Sequence, residues 1–210
     1  MDENPNPTVQ NRRSSGPFVS GLLFIWDFLK VVIIALVIIL PIRYFIFQPF
    51  LVSGSSMVPN FQDGQYLIID ELSYRFQTPQ RGDVLVLRPP INQNEYYIKR
   101  IIGLPGEKIQ IEDDHIIIYN NEHPNGFTLT ENYLPTGTIT VPHNSQIVGN
   151  SKIITLSSDQ YFMMGDNRAY SSDSRDWGPI TKSEIVGKVY LRVLPVSDFH
   201  LFSTPAYLAT

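Results

Sequence analysis

The chain has 210 residues, enough for one domain with a small insertion. It holds no cysteine, which excludes a disulfide framework, a cysteine nucleophile and thiolate metal ligation. Its 16 Lys and Arg against 20 Asp and Glu give a net charge of −4 with no basic run, so a nucleic-acid partner is not expected.

Residues 1–17 are rich in Asn, Pro, Ser and Gly and predict a disordered tail. Phe18 to Phe47 follow, with the apolar heart V-V-I-I-A-L-V-I-I-L-P-I at Val31 to Ile42. With its flanks this stretch reaches the about 17 to 25 residues that cross a bilayer, and predicts one transmembrane helix over roughly residues 23–43. Asp27, Lys30 and Arg43 lie near its ends, where charges reach the headgroups. Cleavage as a secretory signal is disfavoured, because the nearest small-x-small pair, Val52-x-Gly54, would cut inside a serine motif. Arg12, Arg13 and Lys30 precede the apolar heart, and Tyr44 to Tyr74 contain no Lys or Arg. The positive-inside rule therefore expects a single-pass protein of the cell membrane, N-terminus cytoplasmic and the remainder extracytoplasmic.

After Pro49 the pattern changes to short runs rich in Ile, Val and Tyr, divided by Gly, Pro, Asn and Asp. Strands are predicted at Tyr66–Ile69, Val84–Leu87, Tyr97–Ile102, Ile109–Ile111, His115–Tyr119, Thr138–Val141, Lys152–Leu156 and Val186–Leu194. The fold class expected is mainly β: an antiparallel core from residues 48–106 and 161–195, a small inserted β subdomain at 107–160, and a tail at 196–210.

Ser56 lies in V-S-G-S-S-M-V-P-N, a tight turn that exposes a hydroxyl. Its own N–H, with Gly54 allowing close backbone approach, is a candidate oxyanion donor. Alone, such a turn after an apolar helix is commonly a linker. Lys99 sits in Y-I-K-R-I-I-G-L-P-G. Strand alternation places Tyr97, Lys99 and Ile101 on one face and Ile98 and Arg100 on the other. Apolar neighbours favour a neutral amine, the form that takes a proton from serine. The commoner fate of a strand lysine is to lie on the surface. A third segment, G-D-N-R-A-Y-S-S-D-S-R-D-W-G at Gly165 to Gly178, offers Ser171 as a partner for a buried amine and Asp173 with Arg175 as a pair, though turns use the same residue types. His115, His123, His143 and His200 are scattered and form no metal-ligand motif. A Ser-His-Asp arrangement is assembled in space and stays open at this point.

Together, S-G-S-S-M-V-P, R-G-D-V-L-V-L, Y-I-K-R-I-I-G-L-P-G-E and G-D-N-R-A-Y-S-S-D-S-R resemble bacterial type I signal peptidase, in its single-span, Gram-positive-like form. The likeness runs from about residue 25 to residue 195. It implies a catalytic serine at Ser56, a lysine base at Lys99, and Ser171 orienting that lysine. It implies a structural ion pair of Asp173 with Arg175, and pockets for small side chains lined by Val52, Met57, Tyr97 and Ile98. The substrates implied are signal-peptide-bearing pre-proteins cut after Ala-x-Ala at the bilayer, by a monomer without metal or cofactor. Two departures stand out. Ala169 and Tyr170 replace the Asp-Asn common after G-D-N-R, and Gly54 stands where some members carry a serine oxyanion donor, so the hole rests on backbone N–H groups. The competing readings are a self-cleaving repressor-type Ser/Lys protease, which would need a helix-turn-helix where the apolar stretch lies, and a membrane-tethered β-domain that only binds peptides.

Overall fold

A computed structural model describes residues 17–45, 47–112, 114–143 and 153–204, with the side chains of 17–23 and 41–47 left aside. The predicted N-terminal tail with Arg12 and Arg13, Lys152, and the last residues of the C-terminal tail lie outside the described residues. The chain divides into two compact units, Met1–Ile42 and Arg43–Thr210.

Among the described residues the first unit holds one helix, α1, which spans Pro17–Phe45. It has no apolar stripe set against a polar one; Phe24, Val31, Ile34, Val37 and Ile39 are all exposed. Among the described residues no helix is long and apolar enough to cross a membrane.

The second unit is mainly antiparallel β. Its larger sheet holds β1 (Phe47–Leu51), β2 (Tyr66–Asp70), β3 (Val84–Leu87), β4 (Tyr97–Gly103), β9 (Gln160–Met164), β10 (Ile180–Thr181), β11 (Ile185–Leu194) and β12 (His200–Leu201). The order is β1-β2-β11-β3-β4-β9-β10, with β12 beside β11. Three strands lie between β1 and β4, yet Phe50 of β1 meets Tyr96, just before β4, edge-on at 5.3 Å, so the sheet curls on itself. Between β4 and β9 the chain builds a second sheet, β7-β6-β5-β8, from β5 (Lys108–Glu112), β6 (His115–Tyr119), β7 (Phe127–Thr128) and β8 (Ile153–Thr155). Its Ile109, Ile116, Ile118 and Ile154, with Leu156 just after β8, point into one core with Ile102, Phe162 and Met164 of the larger sheet. Among the described residues the unit also holds two one-turn α-helices, α2 (Ser73–Phe76) and α3 (Ser174–Trp177), and short 3₁₀ turns at Lys182–Glu184 and Val196–Asp198.

One predicted strand is absent. Thr138–Val141 is irregular, because two arginines use its polar groups: Arg168 Nη1 donates to Thr140 Oγ1 at 2.8 Å and Arg175 Nη1 to the Val141 carbonyl at 3.3 Å. Ile139 and Val141 consequently face solvent. Five strands were not expected: β1, β7, β9, β10 and β12. β1 carries Pro49, which argues against a central strand but suits the sheet edge where β1 lies. β9 is buried on both faces, so it reads as an unbroken apolar run without alternation.

Candidate active site

Ser56 and Lys99 come together. Residues 52–58 leave β1 as a turn in which Gly54 takes φ +93°, a conformation side chains disfavour. The Ser56 hydroxyl lies 2.7 Å from Lys99 Nζ. Nζ also donates to the Ile98 carbonyl at 2.9 Å. Lys99 is 3% exposed, and its stem lies on the expected face with Tyr97, whose ring centre is 5.2 Å from Nζ. Burial pushes the amine down to about 8, against the pull of the Asp173 and Asp166 carboxylates and with added repulsion from Arg175. The pair can therefore move a proton from serine to lysine near neutral pH.

The segment after β9 packs behind this pair. Asp173 and Arg175 are fully buried and paired twice, Nε to Oδ1 at 2.8 Å and Nη2 to Oδ2 at 2.7 Å. Asp173 also caps α3 and accepts from the Gly165 N–H at 3.0 Å. Burial alone would raise its carboxyl, but Arg175 and the Gly165 N–H outweigh this and hold it below the ordinary range. Ser171 is buried nearby, yet its Oγ makes no hydrogen bond, to Lys99 or otherwise, among the described residues. The hydroxyl is close enough to Asp173 to add to its pull without reaching hydrogen-bond geometry. Gly165 holds these pieces close: a Cβ there would collide with Ser171 Oγ and with the Ser56 carbonyl oxygen.

A cleft of about 470 Å³ opens onto the pair. Residues 50–56 form one wall and 95–99 the other, with Leu67 and Val86 between them and Tyr170 and Ser172 also lining it. Val52, Tyr97 and Ile98 line the cleft. Met57 does not. It is 1% exposed, packs with Phe61, Leu67 and Ile69, and its sulfur accepts from the Asp166 N–H at 3.4 Å. The turn reverses the chain after Ser56 and sends Met57 into the core. Gly54, which allows the backbone its approach, adds no open donor of its own. Its N–H is taken by Asp63 Oδ1 at 2.8 Å, whereas the Ser56 N–H has no acceptor among the described residues. On the β9 side, β4 is paired only from Arg100 onward, so the edge of Tyr97–Lys99 has no ladder partner beside the cleft.

Several supporting residues carried no role in the sequence reading. Arg100, adjacent to Lys99 but on the opposite face, binds both oxygens of Asp166 at 2.8 and 2.6 Å. Asn60 Nδ2 donates to the same carboxylate at 2.8 Å, and the Tyr133 ring lies 3.9 Å from the guanidinium. Asp63 and Asn167 brace the serine turn. The density of Asp, Asn and Arg in G-D-N-R was the signal; the partners sit about 60 to 110 positions away, where no local pattern reaches.

The sequence profile of the family described as signal peptidase, peptidase S26, matches residues 25–194. A signal peptidase I of Bacillus amyloliquefaciens is 32% identical over 94% of this chain and 97% of its own length. A signal peptidase IB of Staphylococcus aureus is 33% identical over 79% of this chain and 87% of its own. A crystal structure of a signal peptidase I from Enterococcus faecalis, 30% identical, covers 54% of this chain and 97% of that one with a TM-score of 0.43. A match spanning most of the chain, with relatives above 30% identity over nearly their full lengths, means that the chain belongs to the signal peptidase family, peptidase S26.

Proposed function

We propose that this chain is a membrane-bound serine endopeptidase that removes signal peptides from exported pre-proteins, cutting after a small residue. The observation that carries this reading is the 2.7 Å contact between Ser56 Oγ and the buried Lys99 amine at the end of an open cleft. Neutral Lys99 takes the Ser56 proton as Oγ attacks the scissile carbonyl. Ser56 N–H donates to the oxygen as it becomes negative. The C–N bond breaks, the departing amine takes the proton from Lys99, and an acyl-enzyme remains. Water attacks the ester, losing its proton to Lys99, and Ser56 leaves with a proton regained.

An extended peptide suits the cleft, because the unpaired edge of Tyr97–Lys99 offers backbone groups to a strand laid beside it. Val52, Ile98, Leu67 and Val86 leave shallow apolar space, the setting for Ala-x-Ala. Asp173 with Arg175 stiffens the loop behind the lysine, and Ser171 is buried in the same loop. The apolar stretch at about residues 23–43 anchors the enzyme in the cell membrane as one span, N-terminus cytoplasmic, which concentrates it where signal peptides end. Residues 107–160 act as an insertion within the catalytic core, and the enzyme works as a monomer without cofactor.

The test is incubation of purified full-length protein with a pre-protein, followed by mapping of the new N-terminus. A single cut after a small residue is expected, lost in Ser56→Ala and in Lys99→Ala. Unchanged cleavage by Lys99→Ala would rule out the base. Binding without cleavage by the native protein would favour a peptide-binding module instead.

A further inference from the structure

Asn167 holds the serine turn by two consecutive carbonyls. Its backbone N–H donates to the Ser56 carbonyl at 3.0 Å, and its side-chain Nδ2 donates to the Ser55 carbonyl at 3.0 Å. The Ser55 carbonyl also accepts from the Val58 N–H at 3.1 Å. That carbonyl belongs to the same peptide plane as the Ser56 N–H. In a planar trans peptide the two point in opposite directions. Pinning the Ser55 oxygen toward Asn167 therefore turns the Ser56 N–H away from it. The neighbouring Gly54 N–H is consumed by Asp63, while the Ser56 N–H has no acceptor among the described residues.

We infer that the Asn167 side chain is a positioning residue that aims the Ser56 N–H, the open donor of this turn, at the carbonyl oxygen of the bond being cut. The inference rests on Ser56 being the nucleophile. Asn167 does not touch the reacting atoms; it acts through one peptide plane. Removing an oxyanion donor outright costs roughly 10²–10³ in rate. Here Val58 still holds one lone pair of the Ser55 oxygen, and the Asn167 backbone still holds Ser56, so misaiming costs less, about 10- to 100-fold. The loss falls on the transition state, where charge reaches that oxygen, and not on substrate binding.

The experiment compares native full-length protein with Asn167→Ala and with the near-isosteric Asn167→Asp, which keeps the volume but loses the donor. Three ligands are used: a pre-protein, a small-x-small peptide aldehyde that adds reversibly to serine, and the same peptide with its scissile amide reduced to CH₂–NH. In both variants kcat is expected to fall about 10- to 100-fold with KM within about twofold, and aldehyde affinity to fall in step. The midpoint of the kcat–pH profile stays in place because Lys99 is untouched, and the reduced amide, which develops no oxyanion, binds as before. Unchanged aldehyde affinity overturns the inference. So does an equal loss of aldehyde and reduced-amide affinity, or failure of both variants to fold, since Asn167 would then hold structure and not the donor. If native protein neither cleaves nor takes up the aldehyde, or if Ser56→Ala does both, the nucleophile assignment fails first and the inference falls with it.

Discussion

Lys99 and Arg100 are consecutive, buried and cationic, yet the two faces of β4 treat them in opposite ways. Arg100 meets both oxygens of Asp166 and a tyrosine ring, so its charge is matched inside the protein. Lys99 has no ion pair among the described residues; its amine meets a serine hydroxyl and a carbonyl. Asp173, the carboxylate that would attract it, is already committed to Arg175. One face thus supports a charge and builds structure, while the other withholds support and leaves a base. Burial is the same on both; the partner decides.

The strongest way to break this comparison is to remove the unsupported cation. Lys99→Ala is expected to lower cleavage about 10²- to 10⁴-fold, measured as kcat/KM on a purified pre-protein, with the fold retained. Next in size is the supported cation. Arg100→Leu strands Asp166 in the core and should cost about 3–5 kcal/mol, read from denaturant unfolding of detergent-solubilised protein. A loss below about 1 kcal/mol would mean that the pair does not hold the sheet.

The two positions should then differ in sign. The folded protein holds Lys99 at about 8 against an ordinary 10.5, which is equivalent to about 3 kcal/mol against the ammonium. That penalty is full below pH 8, fades as the pH rises toward 10.5, and is absent above it. Lys99→Met should therefore stabilise the fold at pH 7 by up to about 3 kcal/mol, with the gain shrinking by pH 9.5. Destabilisation at pH 7 would contradict the picture of an unsupported amine. The same value sets catalysis: kcat/KM, which follows the free enzyme, should rise with pH, reach half its plateau near pH 8 and level off above about 9, when the amine is neutral.

The smallest effect belongs to the brace on the serine turn. Asp63→Ala frees the Gly54 N–H and should cost about 1 kcal/mol, with cleavage reduced only a few-fold. Loss of activity on the scale of Lys99→Ala would show that the turn depends on Asp63 far more than one hydrogen bond suggests.

Alternation along Y-I-K-R-I-I-G places Lys99 and Arg100 on opposite faces from sequence alone, and short Ile- and Val-rich runs mark most of the strands. The failures have physical causes. β9 is buried on both faces and loses the period on which strand prediction depends. Thr138–Val141 carries strand-forming residues but spends its polar groups on Arg168 and Arg175. Met57 and Gly54 stand beside Ser56 in sequence, but a turn rotates each neighbour in a different direction. One faces the core and the other faces Asp63.

By itself the sequence determined the residue types available for chemistry, the β class of the second unit and the apolar stretch before it. Those follow from composition and short-range period, which the chain carries locally. Only the tertiary structure decided which serine meets which amine, which carboxylate each cation receives and which N–H stays open. Those depend on distances across strands far apart in sequence, and on the competition of several partners for the same few polar atoms.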